Sequence, residues 1–136
     1  MAIAQCMTQS FKTELWQGIH NVLTDSLMMA LYTSLASMGY ATTAYSSANE
    51  VSGVGYTPGG ILLTGVTVGG LNGISFMSFN NPVWTAALTA RGALIYNASK
   101  ANRSVAVLDF GADKSSASKF TVQLPPNTYN SALLAF

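Results

Sequence analysis

The rhythm of apolar and polar residues changes near Ser26. Before it, Phe11, Leu15 and Ile19 recur at the spacing of one helical face. Thr8 or Ser10 is placed to cap the N-terminus, and Glu14 is read in the first turn, where the helix dipole favours an anion. Gly18 ends or kinks the element. Segment 8–23 is therefore predicted to hold about two helical turns, with Trp16 flanking the stripe.

From Ser26 onward the pattern is one of short apolar runs and turns. Leu27–Tyr32 is a compact apolar run read as a buried strand. Residues 35–60 are small, polar and Gly-rich, a loop of roughly 25 residues, and loops of that length are usually functional or mobile. Ile61–Val68 reads as a strand stopped by Gly69-Gly70, and Gly73–Phe79 as an alternating strand before the turn Asn80-Asn81-Pro82. Val83–Ala87, Leu88–Asn97 and Arg103–Phe110 read as further strands. Gly111–Ser118 reads as a polar loop, Lys119–Leu124 as a strand stopped by Pro125-Pro126, and Ser131–Phe136 as a last strand. Seven or eight short strands at this spacing predict one mainly β domain over 1–136, an antiparallel β-sandwich or jelly-roll-like barrel with one N-terminal helix.

One pairing is predicted in register. Leu88–Asn97 and Arg103–Phe110 flank the five residues Ala98–Asn102, a length suited to a hairpin. Centred on Lys100, the hairpin sets Ile95 against Val105, Ala93 against Val107, and Arg91 against Asp109. Two charges inside apolar strands are costly unless paired, and this register makes Arg91 and Asp109 a structural ion pair.

Composition narrows the function. Of 136 residues 49% are hydrophobic and only 8% charged, with net charge +1. Such a chain fills a core, which excludes disorder. Six scattered cations form no basic patch, so no nucleic-acid partner is expected. Apolar runs are broken every few residues, so no membrane span is expected. The start Met1–Cys6 reads neither as a signal peptide nor as a lipoprotein site, and synthesis in the cytoplasm is expected.

Catalytic chemistry has little to draw on. His20 and Cys6 are single, so neither a zinc site nor a cofactor is expected. A nucleophilic triad would have to use His20 beside Asp25, Asp109 or Asp113, and no motif supports one, so His20 is read as a turn or core histidine. Gly53-Val54-Gly55 lacks the third glycine of a dinucleotide loop. The chain is accordingly not read as an enzyme. The aromatic residues on strands belong to the core. Tyr40, Tyr45 and Tyr56 sit in the long loop, and either contact a partner or fold back to cap the sandwich.

Several segments carry a resemblance in the same order along nearly the whole chain. They are Phe11–Asn21, Ala30–Ser34, Thr42–Tyr45, Asn49–Gly60, Pro82–Trp84, Thr89–Asn97, Ala106–Gly111 and Phe120–Val122. Together the chain resembles a family of small virion proteins encoded among the structural genes of tailed bacteriophages, from which it departs at Met28-Met29. The resemblance implies a virion part assembled in the host cytoplasm and carries over no catalytic residue. The leading expectation is a capsid decoration or cement protein that binds the major capsid protein and copies of itself in symmetric clusters, a trimer among them. A tail, collar or fibre-base component is the alternative, and a host-surface binding module another. The charge distribution sharpens this: Ser26–Ala90 holds only Glu50, whereas six of the eleven charges fall between Lys100 and Lys119. Residues 26–90 are the half expected at interfaces.

Overall fold

The computed structural model of the chain describes residues 3–124 and 134–135. These residues form a mainly β architecture with one α-helix. In chain order the elements are β1 (Cys6–Met7), α1 (Gln9–Trp16), β2 (Leu27–Tyr32), β3 (Ile61–Leu62), β4 (Thr67–Leu71) and β5 (Ile74–Ser78). Then follow β6 (Val83–Trp84), β7 (Thr89–Asn97), a 3-10 turn (Ala98–Lys100), β8 (Arg103–Ser115), β9 (Phe120–Thr121) and β10 (Leu134–Ala135). A five-stranded sheet has the order β1-β8-β7-β2-β3, a three-stranded sheet β10-β5-β4, and β6 pairs with β9. All these strand pairs are antiparallel.

The five-stranded sheet is buried on both faces. On one face Leu27, Met29, Leu31, Ala93, Ile95 and Leu108 pack with Met77, Phe79, Trp84, Phe120 and Leu134 from the smaller sheets and their connections. On the other, Ala30, Tyr32, Leu94, Tyr96 and Val107 pack with Ile3 and Ala36. Strand residues alternate between faces, so β2 from Leu27 to Tyr32 and β7 from Gly92 to Tyr96 must be without charged residues, as they are.

α1 has the two turns expected and stops well short of residue 23. Thr8 is its N-cap, accepting from the Phe11 N–H. The Gly18 N–H donates to the Leu15 carbonyl and the Ile19 N–H to the Glu14 carbonyl, a Schellman ending that needs the positive φ of Gly18 (+71°). Glu14 therefore lies in the second turn, not the first. Phe11 enters the first core, while Trp16 points to solvent, 91% exposed.

The β7–β8 hairpin departs from a register centred on Lys100. Asn97 opposes Arg103 and Tyr96 opposes Ser104, but Ile95 opposes Ala106 and Ala93 opposes Leu108. Val105 is the extra residue of a bulge, which turns both Val105 and Ala106 into the first core. A second irregularity follows: Gly92 opposes Asp109, yet Ala90 opposes Lys114. Arg91 and Asp109 are thus not directly opposed. They still form an ion pair, because the irregular stretch sets them diagonally on one side. Strand β8 also continues through the region read as a polar loop, from Gly111 (φ +82°) to Ser115.

Other strands differ from their sequence reading: Val83–Ala87 and Lys119–Leu124 keep only Val83–Trp84 and Phe120–Thr121 as strand. Ile61–Val68 is broken at Gly65, which has a φ of +66° and, lacking a Cβ, leaves room for the Asn80 side chain. Gly69-Gly70 lies inside β4, and the chain turns instead at Asn72-Gly73, both with positive φ, a two-residue hairpin turn. The Phe76 ring covers Gly69, filling the space a side chain would take. Of the last predicted strand, Leu134–Ala135 pair with Met77 and Phe76; Pro125, Pro126, 131–133 and Phe136 lie outside the described residues.

Gly60 marks the closest approach between the long loop and β2. Its φ is +87°, and a Cβ there would lie 1.8 Å from the Met29 carbonyl oxygen. Gly60→Ala should therefore lower stability by about 2–4 kcal/mol. Gly73→Ala, with φ +80° but nothing within 4 Å of the added carbon, should cost only about 1–2 kcal/mol. Urea unfolding of the two variants checks the order, and equal midpoints would refute it.

Candidate functional site

Glu50, the only charge between Ser26 and Ala90, is the centre of a tyrosine cluster. Its Oε1 accepts from the Tyr45 hydroxyl (2.6 Å), and its Oε2 from the Tyr56 hydroxyl (2.5 Å) and the Gly59 N–H (2.8 Å). The Tyr56 oxygen in turn accepts from the Leu31 N–H of β2 (2.9 Å). Two more tyrosines close the cluster: the Tyr32 hydroxyl donates to Ser46 O and the Tyr96 hydroxyl to Gly59 O, each at 2.6 Å. Tyr45 stacks on Tyr96 with ring centroids 4.7 Å apart.

The electrostatics follow from burial. A partly buried carboxylate is costly unless its oxygens are satisfied, and here hydroxyls and a main-chain N–H do this without a cation. Burial, then hydrogen bonding to Glu50, pushes the Tyr45 and Tyr56 hydroxyls well above the ordinary tyrosine range. Burial and the Glu50 charge do the same for Tyr32. The phenols stay protonated and remain donors. With three hydrogen bonds on its oxygens, Glu50 ties Tyr45, Tyr56 and Gly59 of the 35–60 loop together, and the Tyr56 hydroxyl carries the tie to Leu31 of β2.

This geometry separates the three loop tyrosines. Tyr56 is buried, 7% exposed, and Tyr45 is half-buried between Glu50 and Tyr96, so both cap the central sheet. Tyr40 stays 68% exposed. It shares a shallow depression of about 250 Å³ with Met7, Gln9, Lys12, Thr13 and Trp16. Tyr40 is thus the loop tyrosine left open to solvent, and Trp16, read only as flanking the helical stripe, lies beside it. Its place four residues after Lys12, off the Phe11–Leu15 face, was the available signal.

A second polar chain runs beneath α1. Arg103 donates to Glu14 Oε2 (3.1 Å), and His20 Nε2–H donates to Glu14 Oε1 (2.7 Å). The buried Asn97 amide donates to His20 Nδ1 (3.0 Å) and to Asp25 Oδ2 (2.7 Å), and Lys100 reaches Asp25 Oδ1 (3.2 Å). Asn97 Oδ1 accepts from the Ser99 N–H, which fixes the amide orientation and with it the His20 tautomer. Both ring nitrogens are occupied and the His20 side chain is fully covered, so it is a core histidine joining α1 to the β7–β8 hairpin. In the sequence Asn97 stood only as the last residue of the predicted strand Leu88–Asn97, with nothing to mark it as a polar hub.

The Arg91–Asp109 pair sits at the surface end of the hairpin, with about a quarter of each side chain exposed. The Gly111 N–H, together with Arg91, holds the Asp109 carboxyl below the usual range against the opposing effect of burial. A groove of about 550 Å³ lies between the end of β8 and residues 119–124, lined by Phe110, Phe120, Leu124, Lys114 and Lys119. Among the described residues no carboxylate, histidine or cysteine lines it, and nowhere do three such groups converge as metal ligands. No helix among them is long and apolar enough to cross a membrane.

Two predictions follow from these networks. Glu50→Gln keeps the shape but removes the charge-assisted bonds, and should cost about 1–3 kcal/mol with faster amide exchange confined to 45–60. Exchange unchanged in that segment would contradict the anchoring role. Asp25 is a case of opposed effects: burial pushes its carboxyl pKa up, but hydrogen bonds from Asn97, the Asn21 N–H and Lys100 outweigh burial and hold it below the ordinary value. A depressed carboxylate adds stability above its unfolded value of about 3.9, and that contribution is lost as pH falls through the folded value. Asp25→Asn should therefore flatten the stability–pH curve below about pH 4, measured by urea midpoints; a parallel curve would contradict it. Compared with known proteins, the chain matches no family model, no curated protein and no solved structure.

Proposed function

We propose that this chain is a non-catalytic structural component of a bacteriophage virion, a decoration or cement protein that binds the outer head lattice. The observation that carries the reading is the placement of exposed apolar side chains. Of nine large hydrophobic residues exposed among the described residues, seven lie in the charge-poor half: Leu35, Tyr40, Val54, Leu62, Val68, Leu71 and Val83. A free-standing domain gains nothing from a surface both apolar and uncharged. One covered by a shell and by its own copies does, and many copies supply avidity from modest contacts.

The resemblance of the sequence to virion proteins supports the same reading. The partners would be the major capsid protein and further copies of the chain. A tail, collar or fibre-base position uses the same chemistry and differs in copy number. The exposed Trp16–Tyr40 pair favours a second reading, a module that contacts the host surface, since Trp and Tyr dominate binding hot spots.

Quantitative staining of purified virions tests the proposal. A decoration protein is expected at on the order of hundreds of copies per particle, a tail component at about six or twelve. Particles lacking the protein should release their genome at lower temperature than complete ones. Absence from the virion would overturn the structural reading, and unchanged particle stability the cementing role. Cell binding by the isolated protein, lost in Trp16→Ala and Tyr40→Ala, would favour the host-surface reading instead.

A further inference from the structure

We infer that the Val68–Gly70 stretch at the outer edge of β4 is a self-association surface, on which β4 of a second copy adds as an antiparallel strand about a two-fold axis. The edges of the sheets are treated unequally. β1 and β3, the edge strands of the five-stranded sheet, are two residues long. Such brevity is a common protection against unwanted pairing, as are lysines, prolines and bulges. β4 is an edge strand of five residues, Thr-Val-Gly-Gly-Leu, with regular pairing to β5 and no charge or proline. Val68 and Leu71 on it are 49% and 56% exposed.

The hairpin turn sets which groups face outward. Leu71 and Ile74 flank the two-residue turn Asn72-Gly73 and exchange the first ladder bonds. Alternation then directs Leu71 and Gly69 at β5, and leaves the N–H and C=O of Val68 and Gly70 on the open edge. No hydrogen bond from another part of the described chain reaches those groups. A second β4 placed antiparallel with its Gly69 opposite Gly69 pairs Val68 with Gly70 in both directions, satisfying all four outward groups of each copy. Glycine at the centre lets the two backbones meet where opposed side chains come closest.

The chemistry favours a second copy over a different protein. Recognition of a distinct partner is steered by complementary charge. The run from Val51 to Ala90 has none, so two copies meet here without like-charge repulsion. The edge of a second copy also presents the same outward pattern, so one surface satisfies itself. This deepens the proposed virion role by naming a surface for its self-contacts, and rests on that role only for its setting.

Sedimentation velocity of the full chain across a concentration range is the test. The wild type is expected to be a dimer at high concentration. Val68→Lys places like charges near the axis, and Val68→Pro removes an outward N–H while sparing the bonds to β5. Each should weaken dimerisation by about ten-fold or more. Amide exchange on the wild type gives a reading independent of variant folding: the Val68 and Gly70 amides should slow as concentration rises. A chain monomeric throughout, a dimer indifferent to both variants, or exchange independent of concentration would each overturn the pairing. A monomer still present on virions overturns the pairing alone; a dimer missing from virions overturns the virion reading alone.

Discussion

The rest of the molecule answers to one constraint, a central sheet that is apolar on both faces. β2, β7 and the first half of β8 present buried side chains in both directions. Such a sheet cannot leave either face to water without losing roughly 25 cal/mol for each square ångström of apolar surface exposed. The two covers are of different kinds. One face receives mostly regular structure, joined by Val51 and Tyr56 of the long loop: α1 through Phe11, the three-stranded sheet through Met77 and Leu134, and the β6–β9 pair through Trp84 and Phe120. The other receives the N-terminal segment and the long loop, through Ile3, Ala36 and Tyr45.

An irregular cover must be fastened by polar groups, because a loop has no ladder of its own. That is the physical reason for the Glu50 cluster. The 35–60 segment takes over the edge of β2 where β3 ends: Val51 N–H donates to Leu31 O, Thr33 N–H donates to Asn49 O, and Tyr56 satisfies Leu31 N–H. One carboxylate then ties Tyr45, Tyr56 and Gly59 together. The lone charge of the charge-poor half is thus used inside the molecule. The Arg103–Glu14–His20–Asn97–Asp25–Lys100 chain does the same work beneath α1.

What was legible in the sequence was local. Leu27–Tyr32 reads correctly as a buried strand because its apolar run is continuous, and α1 because Thr8 and Gly18 bracket a short stripe. The errors arose where one residue changes the geometry. An extra residue at Val105 shifts the hairpin by one, and nothing in a run of Val, Ala and Leu marks a bulge. Gly69-Gly70 reads as a stop, although Asn72-Gly73 was the stronger turn signal and Phe76 shields Gly69 within the strand. The tyrosine cluster was half legible. Tyr45, Tyr56 and Glu50 all stood out, but only tertiary pairing brings Tyr32 and Tyr96 from β2 and β7 to meet them.

Scarcity of charge also governs the boundaries of the sheets. Most proteins discourage edge pairing with lysine or an inward-facing charge. A chain with one charge in 65 consecutive residues, Ser26 to Ala90, has to protect its edges by other means. It keeps β1 and β3 to two residues and covers the remainder of β2 with main chain from 49–51 and a tyrosine hydroxyl. Each device needs chain length or a neighbouring segment, and among the described residues neither reaches the outward main-chain groups of Val68 and Gly70 on β4. Its neutrality and its open ladder are therefore two aspects of one feature: the same lack of charge that leaves β4 undefended makes it compatible with a neutral strand like itself.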